Sequence, residues 1–228
     1  FMNNKIFIVC FCLIMGFENE TLIYNLKFMG IEAGESTLSI RKDTIAEAEV
    51  YHLISTTRTN SILDRIYKIR DKINIILDAT DLSIKKMEKK MNEGGKKKFF
   101  KSIINYDSLL AISNNKTISI PGKILDPFGS IYYLRKKDIN ISDIFEFNTY
   151  DNDKIKKVSV VAKKIESVST DAGNYECIVI EPYSKEGKLL RNKGSMKVWL
   201  TNTIEKIPVK IENQTSAGKM IMTLKAIQ

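Results

Sequence analysis

The sequence predicts a mainly β protein, a single curled antiparallel sheet or barrel-like domain with one main helix packed on it. Three observations carry this reading: short segments in which apolar and polar residues alternate, turn residues recurring between those segments, and one Asp-Pro pair of the kind that starts a helix. Alternation places successive side chains on opposite faces of a strand, so one face can enter a core while the other meets water.

In chain order, residues 21–28 put Leu22, Tyr24, Leu26 and Phe28 on one side and Ile23, Asn25 and Lys27 on the other. Gly30 and Gly34 punctuate a turn region, and residues 36–41 alternate again. Residues 51–59 are rich in β-branched side chains and predict a further strand. Asn60 and Ser61 can cap a short helical turn through Leu63 and Arg65, after which residues 67–76 resume an extended, isoleucine-rich pattern. Asp78, Thr80 and Asp81 then make a turn. The next segment carries two periods at once. Ile84, Met87 and Met91 have helical spacing, whereas Asn92-Glu93-Gly94-Gly95 is a hairpin turn and favours two paired strands, 82–91 and 96–106. Asp126 followed by Pro127 opens the main helix, 127–137, with Ile131 and Leu134 inward. The rest reads as a meander, with strands at 144–150, 154–168, 175–182, 195–201, 207–213 and 220–227 and turns at 151–153, 171–174, 186–187 and 217–218. No Pro-rich or Ser-rich linker divides the chain, so residues 17–228 are read as one β-rich domain.

Residues 1–16 have the layout of a secretory signal: Lys5, an apolar run over 6–15, then Gly16. A run of that length falls short of the roughly 20 residues of a transmembrane helix. Cleavage near Gly16 implies export to the periplasm or cell envelope and leaves no transmembrane span in the mature protein. Val9 before Cys10 and Phe11 before Cys12 are not the small residues that a lipoprotein signal requires. With Cys10 and Cys12 removed, only Cys177 remains, so an intramolecular disulfide is excluded. His52 is the only histidine, which leaves no convincing set of ligands for a metal, and no cofactor is expected.

The formal charge is +9, or +8 without Lys5 (35 Lys+Arg against 27 Asp+Glu). Between residues 85 and 101, Lys85, Lys86, Lys89, Lys90, Lys96, Lys97, Lys98 and Lys101 face only Glu88 and Glu93. Such a cluster either attracts an anionic surface, with Lys96, Lys97 and Lys98 as its centre, or lines an exposed sheet edge that must not pair with another chain. Export argues against nucleic acid and leaves a lipid, a glycolipid or an anionic envelope surface as the partner.

Catalytic constellations are scarce. A serine hydrolase needs a histidine beside its nucleophile, yet His52 lies between Tyr51 and Leu53 in a strand and the chain has no Gly-x-Ser-x-Gly elbow. Cys177, flanked by Glu176 and Ile178, reads as a small packed residue. Gly94-Gly95-Lys96 lacks the rest of a phosphate-binding loop. Asp64, Asp71, Glu93 and Asp126 are the acids available for glycosidic cleavage by paired carboxylates. The same acids can serve turns, a helix cap and ion pairs with Arg58, Arg65, Arg70 or Arg135. Tyr132, Tyr133 and Trp199 can stack on a sugar ring or pack in a core.

Four stretches, in this order, resemble a bacterial family known only as domain of unknown function number three-one-zero-eight. They are Thr57-Arg58-Thr59-Asn60 running on to Asp64, Tyr67 and Asp71; Asn92-Glu93-Gly94-Gly95; Asp126 through Tyr132-Tyr133-Leu134-Arg135; and Gly194 through Val198-Trp199-Leu200-Thr201 to Ile207-Pro208-Val209. The similarity spans roughly residues 22–224. It departs at Gly129, where serine is expected, with Ser130 beside it. The resemblance implies an exported protein with a mostly antiparallel, barrel-like sheet and a helix packed on it, and it implies no activity. The expectation is therefore an exported, noncatalytic module that binds or carries a lipid or glycolipid. Its candidate motif residues are Arg58, Asp64, Tyr67, Asp71, Asp126, Tyr132, Arg135 and Trp199. The alternative is a carbohydrate-active hydrolase.

Overall fold

A computed structural model describes residue 17 and residues 19–183, 195–214 and 218–228. The expected signal at 1–16, the turn at 186–187, Gly194 and Ala217 lie outside the described residues.

Fourteen strands and two helices form in the described chain. They run β1 (Glu20–Phe28), β2 (Ile31–Ile45), β3 (Ala48–Thr59), α1 (Ser61–Asp64), β4 (Arg70–Asp78), β5 (Ile84–Glu93), β6 (Lys96–Asn105), β7 (Leu110–Ser113) and β8 (Thr117–Ser119). After these come α2 (Pro127–Arg135), β9 (Ile144–Asp151), β10 (Lys154–Thr170), β11 (Gly173–Pro182), β12 (Ser195–Thr201), β13 (Pro208–Gln214) and β14 (Lys219–Ile227). All fourteen strands join one antiparallel sheet in the order β8-β7-β6-β5-β4-β3-β2-β1-β14-β13-β12-β11-β10-β9. The expected mainly β, curled and barrel-like architecture with one main helix is thus present.

The edge strands β8 and β9 are not paired with each other, and a short segment spans the gap between β5 and β9. The Ile84 amide donates to the Ile124 carbonyl at 3.0 Å, while Leu125 exchanges hydrogen bonds with β9 through Asn148 and Tyr150 at 2.9 and 2.8 Å. Side chains reinforce this seam. The hydroxyls of Ser102 on β6 and Tyr150 on β9 meet at 2.9 Å, and buried Lys89 on β5 is ion-paired with Asp151. Because buried polar groups are costly unless paired, these contacts define how the two edges meet.

The alternation foreseen for β1 is realised, with Leu22, Tyr24 and Leu26 all buried. Gly94 and Gly95 take φ of +56° and +81°, the left-handed pair that a tight hairpin between β5 and β6 requires. The helical spacing of Ile84, Met87 and Met91 is therefore incidental to a strand. Gly34 is not in a turn as expected. It lies within β2 at φ +151°, where a Cβ would sit 2.1 Å from the Arg58 carbonyl oxygen. Only glycine permits this close approach of β2 to β3, and the β1–β2 register slips by one residue alongside it, between Leu26 and Lys27. Strands β7 and β8 are not evident from the sequence, because strands of four and three residues carry too little alternation to register as a pattern. The main helix ends at Arg135 rather than Lys137, with Lys136 as its C-cap.

Helix α2 fills one end of the curl. Its Arg135 guanidinium donates to both Glu20 carboxylate oxygens at 2.6 and 2.8 Å and to the Glu205 carbonyl at 3.0 Å. Lys136 reaches the Ala79 carbonyl at 2.8 Å, and Phe17 packs edge-on between Tyr51 and Tyr132. At the opposite end, among the described residues, lie the tips of the β1–β2, β3–β4, β5–β6, β7–β8 and β9–β10 connections.

Candidate functional site

Between the N-terminus of α2 and those tips lies a cavity of about 340 Å³. Its walls come from inward-facing positions two residues apart on β4 (Asp71, Ile73, Ile75), β5 (Lys89, Met91, Glu93), β14 (Met220, Met222) and β13 (Ile211, Asn213), with Met196 of β12. Asp126, Pro127 and Phe128 bound it at the helix, and Asp151 and Asn152 at the seam. Ser55 and Thr57 of β3 add hydroxyls, while the apolar part of the lining is chiefly isoleucine and methionine, whose flexible thioethers adapt to irregular surfaces.

Four acids border this apolar space, and Asp126, Asp71 and Asp151 each have a donor that accounts for them. Asp126 is 1% exposed and caps α2, accepting from the Phe128 and Gly129 amides at 2.8 and 2.9 Å. Burial pushes its carboxyl up to about 6, against the opposing pull of those amides. A Cβ on Gly129 would fall 2.3 Å from the Asp126 carboxylate, which explains glycine where serine was expected. Ser130 donates to the Pro127 carbonyl at 2.7 Å and is thereby committed to the helix. Asp71 accepts from the Asn92 amide at 3.0 Å, and burial, with the neighbouring Glu93 carboxyl, pushes it up to about 6. Asp151 holds Lys89, and Glu93 lies beside Asp71 at the β5–β6 turn.

The remaining sequence candidates are dispersed. Asp64 is bound bidentately by Arg70 at 3.0 and 2.5 Å and by the Thr59 hydroxyl, and Arg70 holds its carboxyl below the usual range. Of the arginines offered to these acids, Arg70 alone takes one. Arg58 is exposed beside Glu35 at 3.6 Å, and Arg135 pairs with Glu20, so Asp126 has neither as a partner. Tyr67 packs on the turn, where a Cβ on Gly94 would lie 2.6 Å from its ring. Tyr132 is buried and donates to Glu20 at 3.3 Å. Trp199 alternates with cavity-facing Met196 and so points away from the cavity, its indole donating to Glu166 at 3.3 Å with the Lys210 ammonium 4.1 Å from its ring. Tyr132 and Trp199 thus serve packing and leave no open face for a sugar. His52 lies in β3 with Asp43 at 3.5 Å, and buried Cys177 has its thiol pushed up to about 11, chiefly by desolvation. Among the described residues no group of three or more His, Cys, Asp or Glu side chains comes together to hold a metal.

The lysine cluster divides. Lys89 is 6% exposed and turned into the core, whereas Lys96, Lys97 and Lys98 are exposed at the open end. β6 pairs with β7 only from Ser102 onward, so Lys96, Lys97 and Lys98 run along a stretch without a strand on that side. Sequence reasoning missed Lys89, Asp151, Glu20 and the lining methionines. Met220 and Met222, two apart in a strand, were the signal available for the last.

A family model described as "Protein of unknown function (DUF3108)" matches residues 23–225. Among curated proteins nothing matches. Among solved structures, the chain is similar to the crystal structure of a β-barrel-like protein of domain of unknown function DUF1849 from Brucella abortus. That match has 13% identity, covers 93% of this chain and 98% of that one, and has a TM-score of 0.61. A candidate lipoprotein from Parabacteroides distasonis matches at 12% identity over 93% of this chain and 96% of that one, with a TM-score of 0.32. The first likeness is one of fold alone, and the second carries no argument. No helix among the described residues is long and apolar enough to cross a membrane.

Proposed function

This chain belongs to DUF3108, a family of unknown function, and from the site itself we propose that it is an exported, noncatalytic module that binds the apolar chain of a lipid or glycolipid. The cavity carries the reading. Its volume of about 340 Å³ lies at the lower end of the roughly 300–1,000 Å³ typical of ligand pockets, and its apolar wall is built chiefly by isoleucine and methionine. An acyl chain inserted there gains from removal of apolar surface from water, and its polar head would remain at the end where Lys96 and Lys98 lie. The signal-like segment at 1–16 supports a periplasmic or envelope location, and the continuity of one sheet supports residues 17–228 as one domain. Native mass spectrometry of protein recovered from its own envelope tests the proposal. A retained mass in the range of an acyl chain or glycolipid is the expected result, and bare protein that also fails to take up a fluorescent fatty-acid probe overturns it.

The hydrolase reading draws on Asp71 and Asp126, both pushed to about 6 and both at the cavity. Its difficulty is geometric. Both Asp126 oxygens are held by helix amides, and Asp71 lies beside Glu93 rather than across a sugar-wide gap. Release of reducing sugar from envelope glycans, abolished in Asp71→Asn, would establish it.

A further inference from the structure

The open end of the sheet gathers features that its individual strands do not explain. Five apolar side chains stand out in the described chain at 65–79% exposure: Met29, Ile31, Ile62, Ile66 and Ile204. The first four belong to the end at which the cavity lies, and only Ile204 belongs to the end filled by α2. Their connections touch in sequence around the rim. The Gly94 amide donates to the Lys68 carbonyl at 2.9 Å and Tyr67 lies on Gly94, joining the β5–β6 turn to the β3–β4 connection. The Asn60 side chain donates to the Glu32 carbonyl at 2.9 Å, joining that connection to the β1–β2 turn. Exposed Arg65, Lys68, Lys96, Lys97 and Lys98 stand among these apolar tips. The exposed acid on this rim, Glu32, is paired with Lys27 at 3.1 Å, while the partly buried Asp64 and Asp71 attract Lys68 and Lys98.

Single apolar side chains on separate tips, interspersed with an excess of exposed positive charge, suit a surface that is apolar just beneath an anionic layer. We propose that this rim docks the protein on an anionic phospholipid bilayer, with Ile62 and Ile66 entering the acyl boundary and the basic residues meeting the headgroups. The cavity then faces the membrane. The inference deepens the lipid-binding reading by naming the surface from which the ligand comes, while its test is separate, because docking needs no occupied cavity.

Co-sedimentation with phosphatidylcholine vesicles, with and without phosphatidylglycerol, reads it directly. The parent protein should bind the anionic vesicles and leave them as salt rises from ~0.1 M to ~1 M, which shortens screening from about 10 Å to about 3 Å. Changing Lys96, Lys97 and Lys98 to Gln should weaken binding about a hundredfold, at about fivefold per lysine. The double change Ile62→Ser and Ile66→Ser should weaken it by at least about tenfold, since each removes an exposed apolar side chain. Ile204→Ser at the opposite end should leave it unchanged. All three variants should keep the parent melting temperature, because the altered side chains are exposed. Absence of parent binding at low salt, binding indifferent to the rim substitutions, or an equal loss in Ile204→Ser overturns the inference. A ligand retained in the mass spectrum despite lost docking defeats this inference alone, and an empty cavity with intact docking defeats only the reading of the cavity.

Discussion

Replacing Asp126 with Asn separates two opposing effects of one buried carboxyl. The carboxylate accepts two helix amides, but its burial pushes the folded-state value to about 6 from the ordinary 3.8. At about 1.4 kcal/mol per pKa unit, that gap corresponds to about 3 kcal/mol. Because the folded value is raised, this stability is fully present below the unfolded value near 4. It is lost as pH rises to about 6 and stays lost above it. Asparagine has no such titration, and it resembles the protonated carboxyl that the folded state holds below about 6, since each presents one strong acceptor oxygen to the two helix amides. The Asn variant should therefore lie within about 1 kcal/mol of the parent at pH 4 and gain on it by about 3 kcal/mol as pH rises from 4 to 7. Urea unfolding of both proteins across that range measures the difference, and titration of other acids, including Asp71, cancels between them. A parent-minus-variant difference that stays constant with pH, or moves in the parent's favour as pH rises, would refute the reasoning.

Three further outcomes follow from local geometry. Arg135→Ala strands the Glu20 carboxylate beside buried Tyr132 and should cost about 3–5 kcal/mol in urea unfolding, whereas an exposed pair such as Lys27–Glu32 should cost under about 1 kcal/mol when broken. Gly34→Ala drives a Cβ into the Arg58 carbonyl and should destabilise by about 3 kcal/mol, visible as a lower urea midpoint with an unchanged slope. Cys177, buried with its thiol held at about 11, should react with a thiol reagent near neutral pH only at the rate of unfolding, so rapid stoichiometric labelling of the native protein would contradict its burial.

What the sequence by itself determined is local. Alternation marked most strands because period two is imposed by the strand backbone whatever lies beside it, as in Leu22, Tyr24 and Leu26. Gly94-Gly95 marked a hairpin because positive φ is a property of those residues, and Asp126-Pro127 marked a helix start because a cap needs only its own next three residues. The tertiary structure alone decided which of these local features meet. Lys89 reads in sequence as one of eight solvated lysines, and only closure of the seam turns it inward to Asp151, some sixty residues along the chain. Gly34 reads as a turn, and only the approach of β3 shows that its missing Cβ admits the Arg58 carbonyl. Arg135 finds Glu20 rather than Asp126 because helix direction sends its end toward the start of β1. The cavity belongs to no segment. It exists because fourteen strands curl until β4 and β5 face β13 and β14, and because a nine-residue helix fills only one end of the space they enclose. Periodicity records which face of a strand is apolar, whereas the curvature, the register shifts and the length of the plug decide whether those faces close completely or leave room.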